Sequence, residues 1–279
     1  MDFTPPTPLT YFATLVQSDA QLPLLEAAAA LAQYALPGLD VQQVLADVDG
    51  LAARLARRVP ARADALERLR ALNQFYFGEL GFAGNVNDYY LPANSYIHEV
   101  LRTRRGIPIS LAVPWLELAR GLGLNAEGVS FPAHFLVQVV LPQGGKVVVD
   151  PFTGASLGAD DLRERLLELH PGLLNAGQTL DLHPYLQAAS ARQMLARMLR
   201  NLQDIHRARR DWPHLVAVQD RLIVLLPSAW GEYRERGLAL AELGDTQRAR
   251  ADLVLYLREA GDAASDREAV HQRLIALGG

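Results

Sequence analysis

Three side chains in the middle of the sequence follow the order nucleophile, base and orienting acid. They are Ser110, His134 and Asp150. A serine hydroxyl can attack a carbonyl carbon when an imidazole takes its proton and a carboxylate holds that imidazole. The residue types therefore predict an acyl-transfer site, provided that the fold brings the three together. The chain contains no cysteine, which excludes a thiol nucleophile, a thiolate metal site and disulfide bonds.

A predicted hairpin positions the last two of these residues. The segments 135–141 and 146–150 are rich in valine, and the Pro142–Gly145 segment between them has the composition of a turn. The start of the first strand then lies near the end of the second, which places His134 and Asp150 at one end of the hairpin, offset by about two residues. Whether they share a face depends on the register, since a slip of one residue reverses every side chain.

Ser110 is expected at the beginning of a helix that spans 110–122. We interpret Pro114 as lying in the first turns, where proline is tolerated. The free backbone amides at a helix N-terminus can stabilise an oxyanion. Serine is also a common N-cap residue, so a structural role for Ser110 stays open beside the catalytic one. His134 alone could be a hydrogen-bonded structural histidine, and Asp150 a turn residue at a strand end.

The rest of the chain divides into three regions by its pattern. Residues 8–79 show helical periodicity with breaks at Pro37 and Pro60, and Asp40 is a predicted N-cap. Helices followed by a small antiparallel sheet are typical of the α+β class. The expected regions are N-terminal helices, a core and C-terminal helices, at 1–79, 80–187 and 188–279.

The C-terminal region has an internal period. Asp211 and Asp245 are 34 residues apart, the length of a tetratricopeptide repeat. One unit carries the small and large residues of that repeat at Trp230, Tyr233, Gly237, Leu240, Leu243, Gly244 and Ala249. The preceding unit, 196–229, matches poorly, so a plain helical bundle is the alternative. Repeats of this kind predict a protein or peptide partner.

Composition and charge limit the function further. The formal net charge is −4, so no positive field favours nucleic acid or an acidic membrane surface. The N-terminus lacks the pattern of a secretion signal and the apolar segment 22–36 is too short to span a bilayer, which makes the cytoplasm the expected location. The seven histidines show no close pairing along the sequence, and no phosphate-binding glycine loop is present. We therefore expect no metal and no cofactor.

Four segments carry a resemblance to a known family: NSYIHEVLRTRRG, GIPISL, FPAHFLVQ and VVVDPFTG. Together they resemble the bacterial SirB-one family, which joins a transglutaminase-like domain to tetratricopeptide repeats. The resemblance implies a papain-like α+β core in which Ser110, His134 and Asp150 occupy the cysteine, histidine and aspartate positions of the superfamily. It implies no settled activity.

Serine in the cysteine position changes the expected chemistry. A thiol beside an imidazole readily becomes a thiolate, whereas a serine hydroxyl needs general-base assistance and closer geometry. Our first hypothesis is therefore a weakly catalytic or non-catalytic adaptor, which binds a peptide in its cleft and a partner through its repeats. The alternative is a serine-dependent acyl-transfer enzyme in which Asn94 assists near the oxyanion.

Overall fold

The computed structural model describes residues 6–169, 172, 180–261 and 264–278. The chain forms two compact units that interleave along the sequence. Unit 1 comprises Met1–Pro23, Ala30–Leu39 and Leu195–Gly279, and unit 2 comprises Leu24–Ala29 and Asp40–Met194. The predicted N-terminal region, residues 1–79, therefore contributes to both units.

Unit 2 contains helices as well as the central sheet, and two of its helices begin with clear N-terminal capping residues. The Asp40 carboxylate accepts hydrogen bonds from the backbone amides of Gln42 and Gln43, which confirms the predicted N-cap. Asp64 and Glu67 form a reciprocal capping box at the next helix. The helices of this unit are α2 (Leu24–Ala30), α3 (Val41–Ala56), α4 (Ala65–Asn73), α5 (Ile97–Thr103), α6 (Pro108–Gly121) and α7 (Ala159–Leu169).

The central sheet of unit 2 is antiparallel, and its strands stand in the order β6 (Ser156–Leu157), β5 (Lys146–Val149), β4 (Leu136–Val140), β3 (Ala126–Val129) and β7 (Ala188–Ala189). The partners Val137 and Val149 fix the register of β4 against β5. Asp150 then lies opposite Leu136, two residues after His134, which confirms the predicted offset. A separate pair of parallel strands is formed by β1 (Ala83–Gly84) and β2 (Arg105–Gly106).

Helix α6 is the central element of unit 2 and packs against β3 and β4. Residues 108–116 of this helix are buried on all sides, as their nearly continuous apolar sequence predicts. The helix begins at Pro108 rather than at Ser110, so the interpretation of Pro114 as a first-turn residue is wrong. Pro114 lies inside the helix, where it lacks the N–H that would bond to the Ser110 carbonyl. The first helical position is occupied by Pro108, and the fixed φ angle of proline suits that position.

Unit 1 is helical, and its best-matched repeat lies in α10 (Trp230–Glu242) and α11 (Thr246–Glu259). Gly237 lets these two helices approach closely, because a Cβ atom there would lie 2.9 Å from the Leu253 side chain. Gly244 adopts a φ of +77° in the turn, and Asp245 caps α11. The helices are α1 (Pro8–Leu15), α8 (Ala191–Ala208), α9 (Trp212–Leu225), α10 (Trp230–Glu242), α11 (Thr246–Glu259) and α12 (Arg267–Ala276). Across the described residues, no helix combines the length and the apolar composition needed to cross a membrane.

Candidate functional site

His134 and Asp150 form a hydrogen-bonded pair at the end of the β4–β5 hairpin. His134 Nε2 lies 2.8 Å from Asp150 Oδ1. His134 lies in the bend that precedes β4, and Asp150 directly follows β5. Ala133 precedes the histidine with a φ of +54°, a left-handed conformation that is uncommon for alanine. The His134 side chain is partly exposed, whereas only 2% of the Asp150 side chain is exposed.

The Asp150 carboxylate is held by two further donors. The Phe152 backbone amide donates to Oδ1 at 2.9 Å, and Arg165 Nη2 donates to Oδ2 at 3.1 Å. Burial by itself would raise the pKa of Asp150, but the hydrogen bond and charge of His134, with the Phe152 amide and Arg165, outweigh it and lower the pKa. The carboxylate is therefore ionised at neutral pH and can orient the imidazole.

Ser110 is turned towards the start of its own helix. Its Oγ lies 2.5 Å from the Asn94 carbonyl oxygen and 3.0 Å from the Ile107 carbonyl oxygen, and it accepts a hydrogen bond from the Ile107 amide at 3.1 Å. The side chain is fully buried. Its described hydrogen bonds go to these backbone groups and none goes to His134. Ile107 is the N-cap of α6, so Ser110 stands at the third helical position and closes the first turn.

Gly106 makes room for this arrangement. A Cβ atom at position 106 would lie 2.7 Å from Ser110 Oγ, 3.0 Å from a Val100 methyl group and 3.3 Å from the Asn94 carbonyl oxygen. Only glycine leaves the hydroxyl enough space to reach that carbonyl. The GIPIS segment is therefore a tightly packed helix start.

Asn94 uses its side chain to hold a neighbouring loop. Its Nδ2 donates to the carbonyl oxygens of Asp88 and Tyr89 at 2.7 and 2.9 Å, and its Oδ1 accepts from Asn85 Nδ2 at 3.0 Å. Both amide hydrogens are thus engaged in the loop. The oxyanion role of Asn94 stays a prediction, and it requires that one of these bonds be released.

Aromatic side chains line the approach to the His134–Asp150 pair. The Phe152 ring lies 6.4 Å from the His134 ring, and the Tyr89 ring lies 6.1 Å from Phe152. Tyr90 packs edge-on against Tyr89. Tyr90 is 74% exposed, and Val86 is 80% exposed. An imidazole beside a half-buried aromatic ring can bind a polar group flanked by an apolar one.

The sequence pattern did not indicate three residues that the fold brings to an aspartate: Arg165, His206 and His214. Arg165 lies on α7, outside the hairpin, and is brought to Asp150 by packing alone. In unit 1, the Asp211 carboxylate lies within hydrogen-bond distance of both His206 and His214. These histidines are eight residues apart, and the sequence reasoning, which looked for close pairing along the chain, missed them.

Two family patterns match the chain. The transglutaminase-like superfamily pattern covers residues 42–200, and a tetratricopeptide repeat pattern covers residues 202–275. The predicted combination of a transglutaminase-like domain with these repeats is therefore confirmed, as is the α+β class of the core. No solved structure matches the chain significantly.

Similar proteins occur in bacteria and in animals. A UPF0162 protein of Xylella fastidiosa is 38% identical over 244 residues, which is 86% of this chain and 85% of that protein. A UPF0162 protein of Pseudomonas aeruginosa is 34% identical over 82% of each chain. The human F-box only protein 21 is 34% identical over 148 residues, which is 45% of this chain and 24% of that protein.

Proposed function

This chain belongs to the transglutaminase-like superfamily and to the UPF0162 proteins, and from that membership we propose that it is an adaptor that binds proteins or peptides. The proposal takes the transglutaminase-like unit as a retained binding fold rather than as an acyl-transfer enzyme. It places the partner on the repeats, and the net charge of −4 favours protein over nucleic acid as that partner.

The state of Ser110 is the observation that carries the proposal. A serine nucleophile needs its proton within reach of a general base. Here the hydroxyl proton goes to backbone carbonyls, and the side chain is buried in the first turn of α6. Moving it towards His134 would break its hydrogen bonds with the Asn94 carbonyl and the Ile107 amide, which would then keep only their 3.3 Å bond to each other. Since each such hydrogen bond contributes about 0.5–1.5 kcal/mol, their loss opposes the rotation.

Unit 1 contains a cleft of a size suited to a peptide side chain. Its volume is about 510 Å³, and it lies between helices of unit 1. Its walls carry both apolar and charged side chains. The lining residues are Arg207, Arg210, Trp212, Leu215, Glu235, Leu238, Ala239 and Glu242.

The charges in this cleft are mostly paired within the chain. Arg207 contacts Glu235 at 2.5 Å, and Glu242 contacts Arg273 at 2.6 Å. Arg210, by contrast, is exposed and makes no ion pair among the described residues. A guanidinium in this place can bind a carboxylate. We infer a peptide ligand with an apolar side chain for the cleft and a carboxylate for Arg210.

Fluorescence anisotropy with defined peptides tests this proposal. The probes are labelled leucine-rich hexapeptides with a free C-terminal carboxylate, the same peptides amidated, and amidated peptides with one internal glutamate. Loss of binding on amidation identifies the terminal carboxylate as the anchor, and rescue by glutamate identifies a side-chain carboxylate. In either case Arg210→Ala is expected to weaken binding about tenfold or more, as for a charged hydrogen bond.

Arg258→Ala is the matched control, because Arg258 is exposed on α11 and lies outside the cleft. It is expected to leave affinity unchanged. Binding that is insensitive to both arginine substitutions, or no saturable binding of any probe, would contradict the assignment of the cleft.

The second candidate function is serine-dependent acyl transfer, and the 2.8 Å His134–Asp150 pair is the observation that favours it. This function requires Ser110 to leave its helix-start position when substrate binds. Hydrolysis of a p-nitrophenyl ester tests it. The adaptor account predicts that wild type and His134→Ala give the same background rate, and a rate that falls by orders of magnitude in both His134→Ala and Ser110→Ala would establish the enzyme.

A further inference from the structure

Two histidines and one aspartate of unit 1 converge at the turn between α8 and α9. His206 lies in the last turn of α8, and His214 in the first turn of α9. Their Nδ1 atoms lie 3.0 and 2.7 Å from the same oxygen, Oδ2 of Asp211. All three potential ligand atoms lie within 4.8 Å of one another. One carboxylate oxygen is thus shared by two imidazole nitrogens.

Asp211 is the N-cap residue of α9, yet its side chain makes no capping hydrogen bond. Aspartate in this position ordinarily accepts from the amide of the second or third helical residue. The second residue is Pro213, which has no amide hydrogen, and the third is His214. The carboxylate is directed at the imidazole rings instead, so the local sequence forgoes a common stabilising contact.

Two neutral imidazoles and one carboxylate are a donor set that suits Zn²⁺ and related divalent transition metals. Tetrahedral bonds of 2.0–2.1 Å separate neighbouring ligand atoms by roughly 3.3 Å. The observed nitrogen–oxygen separations of 3.0 and 2.7 Å need to open by only a few tenths of an ångström. We propose that His206, Asp211 and His214 bind a divalent transition metal ion, with Zn²⁺ preferred over Mg²⁺.

The surroundings supply what such a site needs beyond its ligands. His206 is buried, and its other nitrogen, Nε2, lies 2.6 Å from the Tyr34 hydroxyl. With a metal on Nδ1, that nitrogen carries the proton and donates to Tyr34, which fixes the ring and its tautomer. The Tyr34 ring also lies edge-on to both imidazoles at 5.7 and 5.6 Å.

The opposite side of the cluster is open to solvent. The side chain of His214 is 42% exposed and that of Asp211 is 33% exposed. This gives the ion a path in and leaves a coordination position for water, as in three-ligand zinc sites. The Arg209 charge, which acts on His206, opposes a cation. The affinity is therefore expected to be lower than that of a closed four-ligand site.

Calorimetric titration of the full chain with ZnCl₂ tests the proposal, with Co²⁺ absorption as a second readout of tetrahedral coordination. The wild-type protein is expected to bind one Zn²⁺ ion per chain and not to bind Mg²⁺. His214→Asn and Asp211→Asn, at partly exposed positions that tolerate substitution, are expected to lose binding. Tyr34→Phe is expected to weaken it about tenfold.

His271→Asn is the matched control, because His271 is exposed on α12 in the same unit and lies outside the cluster. It is expected to bind like wild type. The proposal is overturned if wild type shows no saturable Zn²⁺ binding, or if His214→Asn and Asp211→Asn bind as wild type does, which would assign the ion to other surface groups.

Discussion

The two units each contain an aspartate hydrogen-bonded to histidine, and the two arrangements differ in how the carboxylate is used. Asp150 in unit 2 is 2% exposed and accepts from His134, Arg165 and the Phe152 amide. Asp211 in unit 1 is 33% exposed and directs one oxygen at two imidazoles. The first carboxylate is enclosed by donors, and the second is open on one side.

This difference separates an orienting role from a ligand role. A guanidinium already compensates the charge of Asp150, so an added cation would have to displace Arg165. The imidazoles at Asp211 can exchange a proton for a metal ion without such a displacement. The same pair of residue types thus forms a fixed hydrogen-bonded pair in one unit and a candidate metal centre in the other.

Removal of the two carboxylates is expected to give the largest contrast. Asp150→Ala leaves His134 and Arg165 without their buried partner and is expected to cost unit 2 about 3 kcal/mol. Asp211→Ala affects a partly exposed group and is expected to cost unit 1 about 1 kcal/mol or less. Hydrogen exchange of the β4 amides and of the α9 amides measures the two units separately. Equal losses would contradict the distinction between an enclosed and an open carboxylate.

The pH dependence of unit 2 sharpens the same contrast. The pKa of Asp150 is lower in the folded chain than its ordinary value near 3.9. The unfolded state therefore binds the proton first, so the contribution of the carboxylate is complete above about pH 4 and is lost as the pH falls through the folded pKa. Denaturant unfolding of wild type and Asp150→Asn between pH 7 and 2 measures this. We expect the gap in stability to close only below pH 4, and a gap that closes near pH 6 would assign it to another group.

Gly106→Ala is expected to cost about 2 kcal/mol, because the new Cβ lies 2.7 Å from Ser110 Oγ and 3.0 Å from Val100. The double variant Gly106→Ala with Ser110→Ala removes the hydroxyl that the new methyl group meets. Its cost is therefore expected to be smaller than the sum of the two single costs. Denaturant unfolding of the four proteins gives the coupling energy. Strict additivity would show that the close packing at the α6 start does not involve Ser110.

Ser110→Ala alone is expected to cost about 1–2 kcal/mol, since it leaves the Asn94 carbonyl and the Ile107 amide with fewer partners. Ser130→Ala is the control, because Ser130 is exposed. This substitution is expected to leave the free energy of unfolding unchanged. The ring resonances of His134, observed by NMR at pH 7, are expected to be the same in wild type and Ser110→Ala, because the hydroxyl bonds to backbone groups. A change in those resonances would place the hydroxyl next to the imidazole.

The sequence predicted what periodicity and register determine. The valine-rich hairpin predicted that His134 and Asp150 lie at one end of the hairpin, offset by about two residues, and left open whether their side chains share a face. The rotamer of Ser110 depends on the Asn94 carbonyl, which arrives from 16 residues earlier, and on the space at Gly106. Arg165 reaches Asp150 from α7 through packing. His206 and His214 meet only because α8 and α9 turn back at Asp211. Contacts of this kind follow from tertiary packing and not from spacing along the chain.

The most direct measurement of the central claim is active-site labelling of the full chain with a fluorophosphonate, followed by peptide mass spectrometry. The claim is that Ser110 serves the start of α6 and is not a nucleophile. It predicts no adduct on Ser110 and equal background labelling of wild type, Ser110→Ala and His134→Ala. A stoichiometric adduct on Ser110 that disappears in His134→Ala would contradict it and would establish a working Ser-His-Asp site.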